Sequence, residues 1–242
     1  DQVPEPDLAE LGEPLVVPAP WDGWVQQISR RGVAAAAPPG SVVRLETRVG
    51  AFLIRGTPLV TIWPLPADPD RVSRLIDDVV VVGPARTMQQ DIDFGLRQLN
   101  DVGLRALSAA VNDPTTATEV VLRLGSVMRP LLLAELPAQA VRDPAGRIVL
   151  TPCDLDHPEY IAHAFDQLRH YAAPHTHVVL ALVRMLRMLR TGCVVDLSGV
   201  SQLRQLARGN GSGLRIGAAV TARTLERDRE VNATYPAIAE SG

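Results

Sequence analysis

The spacing of apolar and polar residues divides the chain into stretches with two different periods. Over residues 14–64, short pieces such as GWVQQIS, SVVRLETRVG and AFLIRGTPLVTIW are separated by glycine and proline, a pattern typical of strands joined by tight turns. Gly50 and Gly56 flank one of these pieces, and glycine at such corners lets a small sheet turn sharply. The pattern predicts a small β-module over residues 14–64, preceded by an acidic, proline-containing linker over residues 1–13.

From residue 65 to residue 185 the apolar residues recur mainly at helical spacing. DPDRVSRLIDDVVVVG predicts a short helix with a strand-like tail, and a longer helix follows it. One face of the longer helix is predicted to be an apolar stripe formed by Met88, Ile92, Leu96, Leu99, Leu104 and Leu107. Most of the charged residues should occupy the other face, where Asp93 and Arg97 have the i, i+4 spacing of a stabilising ion pair.

Local signals predict where the following elements begin. Asp113 is predicted to be an N-cap because Pro114 holds it out of the α region and suits the first position of a helix. This helix should run to about Leu136 and is apolar on nearly all sides, which predicts a buried or interface helix. A short hairpin is predicted within residues 137–158, where DPAG supplies the turn. A further helix is predicted over PEYIAHAFDQLRHYA, and the segment HTHVVLALVRMLRMLRTG follows it, with a helix-like run near residues 178–190.

Composition narrows the possible functions. The net charge is −3 and the pI is about 6.0, so nucleic acid is not an expected partner. The order of strands and glycine turns in the β-module resembles the barrel-sandwich hybrid of biotinyl and lipoyl domains. All 24 basic residues are arginine, so the lysine that accepts biotin or lipoate in such domains is absent. The β-module is therefore predicted to be structural. Cys153 and Cys193 form no CxxC motif. No apolar run approaches the roughly 18–20 residues of a spanning helix.

The central segment carries a specific resemblance. RTMQQDIDFGLRQLNDVGLRALSAAVNDPTTATEVVLRLG, residues 86–125, resembles the core of a bacterial family of predicted membrane proteins, domain of unknown function 2254. The likeness covers about residues 12–185 and includes GWVQQIS, GAFLIRGTPL and AFDQLRHYA in order. It implies transmembrane helices before Asp1 in a longer parent, which would attach this soluble portion to a membrane. The resemblance implies no mechanism.

The same segment contains more charge than a helical core needs. The predicted polar cluster consists of Arg86, Asp91, Arg97, Arg105, Asn112 and Asp113. Two interpretations stay open: an ion-pair and capping network that holds two helices, or a polar site for an anion or a metal. No nucleophile–base pair is recognisable, so no catalytic residue is predicted. His175 and His177 are weak metal candidates because HTH would place two imidazoles on one side of a strand, but no specific metal site is predicted.

The last part of the chain carries a second resemblance. VVDLS, GLRIGAAVT and YPAIAE, within residues 186–242, resemble part of the FAD-binding domain in the medium subunit of molybdenum hydroxylases, the xanthine and carbon monoxide dehydrogenase family. The residues of this flavin-domain signature are Gly213, Ile216, Gly217, Ala218 and Thr221. The upstream glycine-rich loop that would hold the FAD pyrophosphate is replaced by APHTHVVLAL, so no cofactor is expected to bind this chain alone.

These observations predict a composite α+β chain. A small β barrel-sandwich-like module (14–64) is followed by a mainly helical soluble domain with a short hairpin (65–185) and by a truncated α/β flavin-domain segment (186–242). The leading hypothesis is the soluble portion of a membrane-associated parent, without catalysis. One alternative is an FAD-dependent oxidoreductase subunit, cytoplasmic and partnered by iron–sulfur and molybdenum subunits. The other is a ligand- or partner-binding scaffold module.

Overall fold

A computed structural model describes residues 2–192 and two short strands at 206–208 and 214–216. Side chains are described as far as residue 189. A 3-10 helix, Leu8–Glu10, comes before the first strand. The strands are β1 Leu15–Pro18, β2 Gly23–Ile28, β3 Val42–Leu45, β4 Phe52–Leu53, β5 Pro58–Trp63, β6 Val80–Gly83, β7 Ala140–Arg142, β8 Ile148–Leu150, β9 Leu206–Arg208 and β10 Leu214–Ile216. The helices are α1 Arg30–Ala36, α2 Pro69–Asp77, α3 Ile92–Ala106, α4 Pro114–Leu133, α5 His157–Ala172 and α6 Thr176–Gly192. The predicted mixed α+β class is therefore confirmed.

The chain divides into two compact units. Unit 1 comprises Asp1–Asp101 and Glu135–Ala164, and unit 2 comprises Val102–Ala134 and the chain from Phe165 onward. All of β1 to β8 belong to unit 1, together with α1, α2 and the first part of α3 and of α5. Unit 2 holds the remaining turns of α3 and α5, together with α4, α6, β9 and β10.

Unit 1 is built on two sheets. The larger has the strand order β1-β5-β3-β8-β7 and the smaller has the order β4-β2-β6. Within the described residues neither sheet closes on itself, because β1 and β7 lie at opposite edges of the larger sheet and β4 and β6 at opposite edges of the smaller. The prediction of a barrel-like module is corrected to two open sheets. Their common core is apolar, with Val33, Val43, Val60 and Ile62 inaccessible to solvent.

The predicted hairpin over residues 137–158 is confirmed as β7 and β8. Asp143 organises its turn, accepting hydrogen bonds from the backbone N–H groups of Ala145 (2.8 Å) and Arg147 (3.0 Å). The sequence did not predict that β8 also pairs in parallel with β3, in the register Val43 to Val149. The hairpin thereby extends the sheet of the N-terminal β-module.

Helix α1 was also missing from the sequence-based prediction. The sequence signal for this helix is an N-cap serine before an alanine-rich stretch of only seven residues. The Ser29 side chain accepts a hydrogen bond from the Gly32 N–H at 3.1 Å and so caps the helix. Helix α2 and strand β6 confirm the predicted short helix with a strand-like tail, and Asp68 caps α2 in front of Pro69.

The predicted apolar stripe of α3 is wrong at its beginning. Met88 precedes the helix and is 63% exposed, and Ile92 at the first position is also exposed. Leu96 and Leu107 are buried as predicted, but the polar residues Asp91, Asp93 and Asn100 are buried as well. The reason is that arginine pairs with the two carboxylates, so this end of the helix buries charge rather than hydrocarbon.

In unit 2, α4 begins as predicted. The Asp113 carboxylate accepts hydrogen bonds from the N–H groups of Thr115 (3.1 Å) and Thr116 (3.0 Å), and Pro114 occupies the first turn. Helices α4 and α6 pack closely at Gly125, where an added Cβ would overlap the side chain of Met185. The opposite face of α4 is exposed at Leu122, Val127 and Leu133, so the helix is buried on one face rather than on all sides.

Candidate functional site

A buried ion-pair network lies in unit 1 at the beginning of α3. The Arg86 guanidinium makes a bidentate contact with Asp91, with Nε and Nη2 each 2.8 Å from a carboxylate oxygen, and Nη2 also reaches Asp93 Oδ2 at 3.1 Å. Asp91 in turn accepts a hydrogen bond from the Phe94 N–H at 2.9 Å. Asp91 therefore serves both as a partner of arginine and as a cap for the first turn of α3.

Asp93 is the centre of this network. Its side chain is 2% exposed and receives three contacts: from Arg86, from Arg97 Nε at 2.9 Å and from His163 Nδ1 at 2.7 Å. Burial alone raises the pKa of Asp93, but the hydrogen bonds from Arg97, His163 and Arg86 outweigh it and hold the pKa below its ordinary value of 3.8. Asp93 is therefore a carboxylate at neutral pH.

His163 brings α5 into the network from a distant part of the sequence. It lies 70 residues after Asp93. Its backbone oxygen accepts a hydrogen bond from Asn100 Nδ2 at 3.1 Å, and its ring nitrogens lie 3.4 and 3.5 Å from Arg97 Nη2. The side-chain and backbone contacts together fix the first part of α5 against α3 within unit 1.

Aromatic rings and a glycine turn enclose the Arg86 side chain. Its guanidinium carbon lies 5.6 Å from the centre of the Trp24 ring and 5.1 Å from that of Phe94, distances typical of cation–π contacts. Gly50 (φ +82°) packs so closely on the network that an added Cβ would overlap Asp91 and lie 2.6 Å from Arg86 Nη2. The β-module therefore contributes directly to the surroundings of the ion pairs.

The structure brings together half of the predicted polar cluster. Arg86, Asp91 and Arg97 belong to the network, but Asp93 and His163, its central and most distant members, were not in the predicted cluster. The i, i+4 spacing of Asp93 and Arg97 was the available signal for Asp93, and this predicted pair is confirmed. No local signal pointed to His163.

The other half of the predicted cluster belongs to unit 2. Arg105 is exposed, and Asn112 adopts a left-handed conformation (φ 47°) in the turn before α4. The Asp113 carboxylate is used by its capping contacts with Thr115 and Thr116, which include a 2.5 Å hydrogen bond from the Thr116 hydroxyl. The hydrogen bonds from the Thr116 hydroxyl and backbone N–H, followed by that from the Thr115 N–H, lower the pKa of Asp113 despite partial desolvation. These contacts fit the capping interpretation of this part.

The two histidines proposed as weak metal candidates lie at a helix start rather than on a strand. His175 immediately precedes α6, and its backbone oxygen accepts hydrogen bonds from Val178 and Val179, while His177 lies in the first turn of α6. The alternation expected of a strand is therefore wrong here. No group of three or more histidine, cysteine, aspartate or glutamate residues in the described part of the chain is arranged to hold a metal ion.

The flavin-domain signature falls almost entirely outside the described residues. Ile216 ends β10, which pairs in antiparallel fashion with β9 in the register Leu214 to Arg208. Within GLRIGAAVT the structure therefore describes a short strand over residues 214–216. Gly213, Gly217, Ala218 and Thr221 lie outside the described residues.

A cavity of about 660 Å³ opens on the β-module of unit 1. Its lining includes Glu46, Thr47 and Arg48, which follow β3. It also includes the apolar side chains of Phe52 in β4 and Ile54 after β4, and Cys153 after β8. Cys153 is exposed, but partial desolvation of its thiol, followed by the nearby Glu46 carboxylate, raises the thiol pKa above its ordinary value of 9.0. This thiol is therefore protonated at neutral pH and is not an activated nucleophile.

Comparisons with known proteins agree with the central resemblance. The proteins described as "Uncharacterized protein Mb1321c" of Mycobacterium bovis and "Uncharacterized protein Rv1290c" of Mycobacterium tuberculosis are each 34% identical to the chain over 195 residues. The alignments cover 78% of this chain and 37% of each relative, so the chain spans little more than a third of the length of the relatives it matches. No solved structure matches the chain.

The match to a protein family extends over most of the chain. The family described as "Predicted membrane protein (DUF2254)" matches residues 1–188, which include the whole ion-pair network and the cavity. Among the helices of the described residues, none combines the length and the apolar character needed to cross a membrane. The chain belongs to the DUF2254 family of predicted membrane proteins.

Proposed function

We propose that this chain is an extramembrane, non-catalytic module of a longer membrane protein, and that the network around Asp93 is a structural clamp within unit 1. The observation that carries the proposal is that both buried carboxylates, Asp91 and Asp93, form ion pairs with arginine. Membrane attachment is proposed to lie in parts of such longer proteins outside the matched region, because the relatives are much longer than this chain.

The geometry argues against acid–base chemistry at the network. A general base needs a free lone pair and a pKa near the working pH, whereas Asp93 receives three donors and has a lowered pKa. The Nδ1 atom of His163 is already used by Asp93. A network in which Asp91 and Asp93 share Arg86, and Asp93 also pairs with Arg97, is suited to holding segments in place.

The segments held by the clamp come from four parts of unit 1. Arg86 contacts Trp24 of β2 and the two aspartates at the start of α3, Gly50 closes over Arg86 and Asp91, and His163 connects α5. Removing one member of a buried ion pair leaves the other charge without a partner, which typically costs about 3–5 kcal/mol. We take the lower end for Asp93, because the Arg97 side chain is 46% exposed and water can solvate it.

Asp93→Asn tests the clamp. It keeps the shape of the side chain but removes its charge, so we expect the free energy of unfolding to fall by about 3 kcal/mol in urea titrations. The matched control is Glu119→Gln, which breaks the exposed i, i+4 pair between Glu119 and Arg123 and should change the free energy by less than about 0.5 kcal/mol. Equal effects of the two substitutions would show that the network is not a clamp.

The extramembrane part of the proposal has its own test. The chain expressed alone should remain in the supernatant after ultracentrifugation without detergent. It should elute from a gel-filtration column as a single species, and that species should unfold in a cooperative transition. Recovery only from the membrane fraction, or only with detergent, would contradict the proposal.

The flavoprotein subunit is the second candidate, and the observation in its favour is that strand β10 lies within GLRIGAAVT, one of the stretches that resemble the FAD-binding domain. The family match ends at residue 188, close to residue 186, where the second segment is predicted to begin. As an FAD-binding subunit, the chain would be cytoplasmic and would work with iron–sulfur and molybdenum subunits. Purified protein that shows the visible absorbance of a flavin would favour this candidate, and protein that stays colourless after incubation with FAD and gel filtration would exclude it.

A further inference from the structure

The cavity on the β-module has the size of a ligand site and two chemically different parts. Its volume of about 660 Å³ lies within the roughly 300–1,000 Å³ of small-molecule sites. All its lining residues belong to unit 1. It does not include the carboxylates of the ion-pair network, so the clamp does not account for it.

One part of the cavity is apolar and open to solvent. Val16 of β1, Phe52 of β4 and Ile54 after β4 line it, and these side chains are 47%, 54% and 61% exposed. Three large apolar side chains on one concave surface are more than the isolated exposed residues of an ordinary protein surface, and such patches mark places where apolar ligands or partners bind.

The other part of the cavity has hydrogen-bond donors that are not fully used. Half-buried Arg48 donates to the backbone oxygen of Val49 at 3.1 Å, and within the described residues no carboxylate lies within ion-pair distance of it. The Thr47 hydroxyl is buried, also without a hydrogen-bond partner in the described part of the chain.

The acidic residue of the lining does not neutralise Arg48. Glu46 accepts a hydrogen bond from the Thr61 hydroxyl at 2.7 Å and pairs with Arg44 at 3.5 Å. Because Glu46 pairs with Arg44, which does not itself line the cavity, Arg48 is the charged lining residue that no carboxylate of the described residues pairs with. An uncompensated, half-buried guanidinium favours a carboxylate or phosphate, which it binds through paired N–H donors.

We propose that this cavity binds an anionic amphiphile, a molecule with a carboxylate or phosphate head and an apolar chain. The head pairs with Arg48 beside Thr47, and the chain lies along Phe52, Ile54 and Val16. A cationic ligand would be repelled by Arg48, and a neutral hydrocarbon would leave its charge without a partner. The proposal goes beyond the clamp and does not depend on it.

Cys153 provides a reporter at the cavity wall. In the full 242-residue chain carrying Cys193→Ser, Cys153 is the single thiol, and its alkylation by neutral N-ethylmaleimide can be followed by mass spectrometry at constant pH. Dodecanoate and dodecyl phosphate, below their micelle concentrations, should slow the alkylation about tenfold at saturation. Dodecanol, acetate and inorganic phosphate should leave the rate unchanged, because each lacks either the charge or the chain.

Substitutions of lining residues test the charged part and the apolar part of the site separately. Arg48→Gln should weaken dodecanoate binding about tenfold or more, the loss expected for one charge-assisted contact. Ile54→Ser should weaken binding by removing an apolar contact with the alkyl chain of the ligand. Arg55→Gln is the matched control, because Arg55 is a neighbouring exposed arginine that does not line the cavity. Each variant is checked for folding by its cooperative unfolding transition in urea, and protection is read as the ratio of its alkylation rates with and without ligand, because Arg48 itself lowers the pKa of Cys153.

The source of the amphiphile is distinguished by a second arm, co-sedimentation with phosphatidylcholine vesicles with and without phosphatidylglycerol. Arg48-dependent binding to the anionic vesicles assigns the site to a membrane lipid, and protection by the free amphiphiles without vesicle binding assigns it to a monomeric ligand. The proposal is overturned if neither anionic amphiphile protects Cys153, if dodecanol protects equally, or if Arg48→Gln binds as tightly as the wild type.

Discussion

Gly50→Ala isolates the contact between the β-module and the ion-pair network. Gly50 has a φ of +82° and lies against Asp91 and Arg86, whereas Gly56 has a φ of +87° and nothing within 4 Å of the position of an added Cβ. The two glycines thus share the same backbone requirement and differ in the space around them. Gly56→Ala is therefore a matched control for the backbone strain alone.

The expected loss of unfolding free energy has two contributions, backbone strain and steric overlap. Alanine in the left-handed region costs roughly 1–2 kcal/mol, and this cost applies to both variants. At Gly50 the added methyl group would also overlap Asp91 Oδ2 and lie 2.6 Å from Arg86 Nη2. These atoms are ends of side chains, but their bidentate pairing in a buried site prevents them from moving independently, so overpacking should add about 1–3 kcal/mol.

Equilibrium unfolding in urea measures the difference. We expect Gly50→Ala to lower the free energy of unfolding by about 1–3 kcal/mol more than Gly56→Ala. In an Asp91→Ala background the overlapping oxygen is absent, so the difference between the two glycine variants should shrink, as a double-mutant cycle would reveal. Free-energy losses that agree within about 0.5 kcal/mol in the wild-type background would refute the inferred packing of Gly50 on the network.

Two further predictions concern acid pH and the second unit. Because the folded-state pKa of Asp93 lies below its ordinary value of 3.8, its contribution to stability is present above that value and is lost as the pH falls through the folded-state pKa. The stability difference between the wild type and Asp93→Asn should therefore shrink as the pH falls below about 5. A difference that stays the same down to about pH 2.5 would contradict the pairing. In unit 2, Gly125→Ala should destabilise the packing of α4 on α6 by about 1–3 kcal/mol because its methyl group would overlap Met185. Gly95→Ala, with nothing within 4 Å of its added Cβ, is the helical control, and it should be neutral or stabilising in the same urea titration.

Local chemistry in the sequence was sufficient to predict the elements whose ends are set by neighbouring residues. Asp113 and Pro114 begin α4, Asp68 and Pro69 begin α2, and the Asp143 turn forms the β7–β8 hairpin. Each of these signals acts over two to four residues, so it can be read along the chain. The central family resemblance was likewise carried by local motifs, and the match over residues 1–188 confirms it.

Only the tertiary structure decided which face of α3 is buried and what the network contains. Asp93 has the sequence pattern of a solvated ion pair, but Arg86 and His163 supply enough charge and hydrogen bonding to bury it. His163 is 70 residues away from Asp93, and the parallel pairing of β3 with β8 joins strands at residues 42–45 and 148–150. Contacts at such separations depend on how whole segments pack, so local periodicity and capping rules do not determine them.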